Sequence, residues 1–369
     1  MPDVIHIRKD PQPVDSGRQA PAAGPSSPTL QTQTKGSSLM KLFVSGSLAY
    51  DRIMDFPGHF ADHILPDKIH VLNVCFNING LVEKFGGTAG NIAYTLSLLG
   101  ERPRIVAAAG NDFDRYERWL VENGLSCSHI RKIDDVPTAG AYVTTDLADN
   151  QITAFNPGAM LYPVELPDWN APGDDVLIHI GPGNKQDMTA FAEKARRTGA
   201  SFIFDPGQSL NIWTGEELRD VVRGALCFIS NDYELSHFLK MTGWKIQQLF
   251  EHVRMVITTH GPEGSVLNVR GDKTLVPASK VEKVVDPTGA GDAYRAGLLK
   301  GLVNRFDWLT CCQMGSVAAT YAVECHGTQE HRFDWGGFLA RYESNFGPLT
   351  PDLSLEAPTG REASARGAA

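Results

Sequence analysis

Between residues 41 and 258, short apolar runs alternate with stretches of helical spacing, and that alternation leaves few architectures open. Lys41 to Ser45 is an apolar run ending at Gly46, read as a buried strand. Ala89 to Leu99 carries Ile92, Leu96 and Leu99 at helical spacing and stops at Gly100, a usual C-terminal glycine. Arg104 to Ala109 reads as a strand and Phe113 to Glu122 as a helix. Strand Val176–Ile180, helix Met188–Arg197 and strands Ser201–Phe204, Ala225–Ile229 and Met255–Thr258 continue the series. Repeated β-then-α units of this size predict an α/β fold, a mostly parallel central sheet with helices on both faces. Such sheets bind ligands beyond the carboxyl ends of their strands. Asp51, Asp205, Asn231, Thr259 and His260 each follow a strand-like run and are the first candidates.

Two segments break the rhythm. Ala139 to Thr145 and Gln151 to Asn156 read as paired strands around the turn 146–150, and residues 68–86 read as strand-rich. Strands that interrupt an α/β series belong outside the main sheet, here in a small β-sheet lid drawn from residues 48–86 and 139–156. A lid over the strand ends keeps water from a reacting group.

Composition narrows the function classes. The 369 residues carry 43 Asp and Glu against 34 Lys and Arg, a net charge of −9, with 42% hydrophobic and 21% charged residues. These are globular proportions, and the charge argues against nucleic acid as a partner. No run approaches the 18 or so apolar residues that a membrane helix needs. The six cysteines, Cys75, Cys127, Cys227, Cys311, Cys312 and Cys325, show neither C-x-x-C pairing nor zinc spacing. They read as reduced, mostly buried thiols of a cytoplasmic protein, with the adjacent Cys311 and Cys312 facing different neighbours on one helix. Residues 1–39, rich in Pro, Gly, Ser, Gln and Ala, predict a disordered tail with neither a secretory signal nor a transit-peptide character. Met40, where the first strand-like run begins, reads as a second candidate start. One large domain spans 40–348, and 349–369 read as a loose C-terminal tail.

The sharpest local signal is Val285-Asp286-Pro287-Thr288-Gly289-Ala290-Gly291-Asp292-Ala293-Tyr294, running into helix-forming sequence up to Leu302. A tight glycine turn feeding a helix N-terminus presents free N–H groups and the positive end of the dipole, which together make an anion site. Asp292 then falls in the first turn, as a capping group or as a general base for an attacking hydroxyl. The turn is not a Walker A loop, since G-x-x-x-x-G-K-[ST] occurs nowhere in the chain. Lying near residue 290, it is no dinucleotide fingerprint either, because that follows the first strand.

Asp286 to Asp292 resembles the carboxy-terminal signature of the ribokinase-like (PfkB) family of carbohydrate and nucleoside kinases. Gly86-Gly87-Thr88-Ala89-Gly90-Asn91 resembles the amino-terminal signature, and Asn231-Asp232-Tyr233-Glu234 the family's Asn-x-x-Glu motif. The resemblance covers about residues 40–348 and implies a ribokinase-like fold. It implies that Asp292 is the catalytic base and that the backbone of Gly289, Ala290 and Gly291 holds the γ-phosphoryl group. It implies that Asn231 and Glu234 hold the Mg2+ of Mg·ATP through water; the same two residues also read as the cap and N3 of a helix. Thr259, Gly261, Gly264 and Thr288 are implied ATP contacts, though the two glycines equally mark a hairpin turn. Asp286 and Thr288 are the implied carbonyl donors to a monovalent cation such as K+.

On the acceptor side the resemblance implies that Asp51 accepts hydrogen bonds from two ribose hydroxyls, for which a carboxylate is suited. Its other reading is a turn residue. Gly86 and Gly87 would let the sugar lie against the backbone and Asn91 would bond a further hydroxyl. Phe155 or Tyr142, both on the lid, would pack into the core or stack on a base. The run from Gly46 through His63-Ile64-Leu65-Pro66, with Asp149 to Ala159, is most similar to prokaryotic adenosine and nucleoside kinases of the family. Aromatic lid residues suit a purine, whereas a sugar phosphate calls for extra cations, and Lys84 alone is near. The expected activity is ATP-dependent phosphorylation of a purine nucleoside at the ribose 5′-hydroxyl, adenosine first, with inosine and guanosine as further acceptors. A ribokinase-like sugar kinase and a non-catalytic nucleoside sensor are the alternatives. Family habit implies a homodimer.

Overall fold

The computed structural model describes residues 40–350 apart from 66–69, 72, 149 and 170–174. Its strands are β1 (Lys41–Ser45), β2 (Ala49–Asp55), β3 (Val82–Gly86), β4 (Arg104–Ala109), β5 (Ile130–Lys132), β6 (Ala139–Thr145), β7 (Gln151–Asn156), β8 (Val176–Ile180), β9 (Ser201–Phe204), β10 (Cys227–Asn231), β11 (Met255–Thr259), β12 (Ser265–Val269) and β13 (Asp272–Val276). The helices are α1 (Phe60–His63), α2 (Thr88–Leu98), α3 (Asp114–Glu122), α4 (Lys185–Thr198), α5 (Gly215–Val221), α6 (Asp232–Thr242), α7 (Ile246–Leu249), α8 (Ala290–Val303), α9 (Trp308–Val323) and α10 (Trp335–Phe346). Nine strands form one sheet in the order β13-β12-β11-β10-β9-β8-β1-β4-β5, parallel except for the β11–β12–β13 edge. The other four form a second sheet, β3-β2-β6-β7.

The two-residue period of the strands sorts the apolar residues into two cores. Leu42 and Val44 enter one and Phe43 the other; Leu177, Ile203 and Ile257 likewise enter the first, and their neighbours Ile178, Phe202 and Val256 the second. The first core takes Ile92 and Leu96 of α2, Leu298 and Leu299 of α8, and Cys311 and Cys312 of α9. The second takes Phe191 of α4, Leu218 of α5, Phe238 of α6 and Leu249 of α7. Helices on both faces make this the α/β arrangement that the alternation implied, and the ribokinase-like fold that the resemblance implied. Among the described residues no helix is long and apolar enough to cross a membrane.

Several expectations shift. The strand expected over Ala225–Ile229 runs Cys227–Asn231, because its parallel ladder with β11 continues through Asn231 opposite Thr259. Asp51 does not follow β1 as a turn residue; it lies inside β2, opposite Lys84 of β3 and Ala141 of β6. Among the described residues of the run 68–86 only Val82–Gly86 is a strand. Upstream of it Phe76 packs on Phe56 and Phe60 with ring centroids 4.8 and 5.1 Å apart, an aromatic cluster in place of a ladder. β6 and β7 pair antiparallel as expected, and Asp146 holds their turn by accepting from the N–H groups of Ala148 and Asn150. Only three of the six cysteines, Cys227, Cys311 and Cys312, are buried; all six are free, and Cys75 is exposed. The tails expected at 1–39 and from 351 onward lie outside the described residues, as does Asp149.

Candidate active site

Helix α8 opens at Gly289, whose φ of 80° lies in the left-handed region that a side chain disfavours. A Cβ there would also lie 2.9 Å from Thr328 Cγ2. The turn before it is fastened by Asp286, which accepts from Thr288 N at 2.9 Å and from Gly327 N at 3.0 Å. These two bonds draw the Asp286 carboxyl below its ordinary value against the burial that raises it. With its side chain so committed, any cation at Asp286 and Thr288 would be served by main-chain carbonyls.

Asp292 sits in the first turn of α8, three residues after the N-cap Gly289. Its Oδ2 accepts from Asn91 Nδ2 at 2.8 Å. Desolvation lifts its carboxyl to about 6, opposed by Arg295 and by the Asn91 bond. Asn91 does not stand free for a sugar hydroxyl: it is 5% exposed, and its Oδ1 accepts from Gln329 Nε2 at 3.0 Å. Gln329 bonds in turn to Tyr116 Oη at 2.6 Å, and Trp119 Nε1 donates to its Oε1 at 2.9 Å. A carboxylate held by an amide that is itself held on both sides has little freedom to turn, which suits a positioned base.

Asp51 reaches toward the same place from the lid. A Cβ on Gly86 would fall 2.3 Å from Asp51 Oδ2, so Gly86 is glycine because that carboxylate occupies the space. Burial, and then the charge of Asp286, raise Asp51 to about 6. Gly87, with φ 88°, is the N-cap of α2. Register across the lid places Asp51 of β2, Ala141 of β6 and Phe155 of β7 in one row, and partners across a ladder share a face. Tyr142 belongs to the other face, with Arg52, whose Nη1 donates to its hydroxyl at 3.2 Å. The core reading of the two aromatics does not hold. Phe155 is 52% exposed and Tyr142 38%, because β7 is the edge of a single sheet and nothing among the described residues covers it. Lys84 is taken by Glu330 at 2.8 Å.

Asn231 and Thr259 end neighbouring strands and stand side by side at the carboxyl edge of the main sheet. Asn231 and Glu234 form a reciprocal capping box on α6: Asn231 Oδ1 accepts from Glu234 N at 2.7 Å and Glu234 Oε2 from Asn231 N at 2.9 Å. Both readings of this pair are thus compatible, with one Glu234 oxygen outside the box. Gly261 and Gly264 flank the short turn between β11 and β12. The backbone of Gly289, Ala290 and Gly291 lies at the open end of α8, where its N–H groups are outside the helical ladder.

Sequence reasoning missed Arg295, Gln329, Tyr116 and His179. Arg295 had a signal, a cation among the small and apolar residues of the first half of α8, well before Lys300 in its last turn. Gln329 had none, because it reaches the site only through the fold of residues 327–330.

The comparisons with known proteins agree with this geometry. Residues 58–334 match the pfkB family carbohydrate kinase model. The chain belongs to that family, and it is a phosphotransferase with an alcohol group as acceptor. It is 32% identical to a nucleoside kinase of Methanocaldococcus jannaschii over 295 residues, 78% of this chain and 96% of that one. Among solved structures, the nucleoside kinase of Burkholderia thailandensis in complex with inosine aligns at 36% identity and TM-score 0.73, covering 84% of this chain and 99% of that one. The M. jannaschii nucleoside kinase structure aligns at 28% identity and TM-score 0.75, covering 84% and 100%.

Proposed function

We propose that this protein is an ATP-dependent nucleoside kinase that transfers the γ-phosphoryl group to the ribose 5′-hydroxyl of a purine nucleoside, adenosine and inosine first. The observation that carries the reading is the row Asp51–Ala141–Phe155 across the lid, with Asp51 near enough to Asp292 for its charge to raise that carboxyl. A carboxylate suits the two ribose hydroxyls, and an exposed aromatic two strands away on the same face offers a surface for a flat base. The small Ala141 between them leaves room for the nucleoside to lie across. A relative solved with inosine supports the same acceptor class.

Asp292 takes the proton of the attacking hydroxyl, and the N–H groups at the start of α8 receive the charge that builds on the transferred phosphoryl. Asn231, Thr259, Gly261, Gly264 and Thr288 line the proposed ATP side. Among the described residues no three His, Cys, Asp or Glu side chains are grouped to hold a metal directly. Asn231 and Glu234 therefore fit a Mg2+ that arrives with the nucleotide and keeps its waters, as that ion prefers. When bound it would neutralise phosphate charge. A K+ site at the Asp286–Thr288 backbone, and a homodimer that uses the exposed edge of β7, complete the reading. Lys84, engaged by Glu330, supplies no cation for the second phosphate of a sugar-phosphate acceptor.

The test is ATP consumption with magnesium against adenosine, inosine, guanosine, cytidine, ribose, fructose and fructose 6-phosphate, repeated with Asp292→Asn. Turnover of purine nucleosides that disappears in the variant is the expected result. Activity on free sugars alone would make this a sugar kinase, and binding without turnover would make it a sensor.

A further inference from the structure

Arg295 and Asp205 form a buried charge pair that the proposed chemistry leaves unused. Arg295 lies on α8 one turn beyond Asp292, and helical side chains lean toward the helix N-terminus. The guanidinium therefore returns beneath the glycine turn, so that a Cβ on Gly291 would lie 2.8 Å from Nη1. Nε donates to Asp205 Oδ2 and Nη2 to Asp205 Oδ1 at 2.8 Å, a two-pronged fit that only the planar guanidinium makes. Asp205, 1% exposed, follows β9; its N–H donates to Ile180 O at 2.9 Å, and His179 Nε2 lies 3.0 Å from its Oδ2. The fork leaves Nη1 on the side of Gly291.

The groups that face Asp292 come from several elements. They are Arg295 on its own helix, Asp205 after β9, Asp51 on β2, Asn91 on α2 and the Tyr116 hydroxyl on α3. Arg295 also meets Glu234 of α6, and Asp205 meets His179 of β8. Arg295 is thus the one cation among these carboxylates, and it stands between the base and the residue assigned to the metal.

We propose that Arg295 is a positioning residue for phosphoryl transfer: clamped by Asp205 beneath the glycine turn, one helical turn from Asp292, it sets the balance of charge around that carboxylate. The inference rests on Asp292 being the base. An unclamped arginine would bind Asp292 as a salt bridge and leave it a poor proton acceptor; without arginine, Asp292 would hold its proton at neutral pH. Asp205 keeps the cation between those extremes. Its loss and the loss of Arg295 therefore act in opposite directions, which two merely structural residues would not do.

The experiment is the pH dependence of kcat, at saturating ATP and adenosine, for the whole protein and four variants. In Arg295→Met the acidic limb moves to higher pH by about one unit or more, and in Asp205→Asn it moves to lower pH. The double variant lies between the two. Arg295→Lys keeps the charge without the fork, so its rate falls while the limb stays near that of the unaltered protein. Where Arg295→Met does not fold, Arg295→Gln, which keeps donors for Asp205, carries the same prediction. Limbs that stay put, or that move the same way in Arg295→Met and Asp205→Asn, overturn the proposal, as does a lysine variant that shifts as far as the methionine one. In Asp292→Asn the limb is absent from the residual activity. A limb that persists there refutes the base assignment, and the role given to Arg295 falls with it.

Discussion

The open end of α8 and the four-stranded sheet, the two sides of the proposed reaction, are built differently. Around Asp292 every neighbour is held by another: Asn91 by Gln329, Gln329 by Tyr116 and Trp119, Arg295 by Asp205. The lid is one layer, and all six residues of β7 are exposed. Phosphoryl transfer depends on in-line placement to fractions of an ångström, which only an over-determined network maintains. An acceptor must enter and leave, and an exposed sheet with few packing partners permits that at small cost.

That comparison can be broken, beginning at its rigid side. Asp292→Asn lowers kcat by about 10² or more while adenosine binding stays nearly intact, read from kcat and a direct binding isotherm. Near-normal turnover would remove the base from this end. On the lid, Asp51→Ala leaves two ribose hydroxyls without their acceptor and weakens adenosine binding by about 10–100-fold, with a smaller effect on kcat. If affinity is unchanged, the carboxylate only supports the sheet.

Phe155→Ala sharpens the division within the lid. Loss of a stacking surface raises the KM for adenosine by about 5–50-fold and leaves any weak activity on free ribose unaffected. Tyr142→Ala, on the opposite face, changes KM by about threefold at most. Equal effects from the two would place the base elsewhere. The smallest effect separates the two sides by pH. Asp292 and Asp51 are both raised to about 6, and each works ionised, so both functions are present above that pH and fade as pH falls through it. The kcat profile should lose about tenfold per pH unit from one carboxylate, and kcat/KM up to a hundredfold from two, because Asp51 acts in capturing the free acceptor. Parallel profiles would mean that Asp51 does not titrate there.

The order of strands and helices was legible in the sequence because strand and helix periods are local properties of the chain. The turn 286–292, the Asn231–Glu234 capping box and the β6–β7 hairpin each lie within a few residues and carry their own turn or cap chemistry. Asn91 shows where such reading stops. Its place after the double glycine pointed to a sugar hydroxyl, yet both ends of its amide are engaged by Asp292 and Gln329, residues 201 and 238 positions away. Asp51 likewise read as the end of a turn until its ladder partners showed it inside β2. Phe155 and Tyr142 are one strand apart and similar in kind; only the register of β2, β6 and β7 puts the first on the Asp51 face and the second behind it. Local composition and periodicity determined which elements form and where an anion can sit. The tertiary structure alone decided which side chains meet, since hydrogen bonds and burial between distant segments depend on distances that no stretch of sequence encodes by itself.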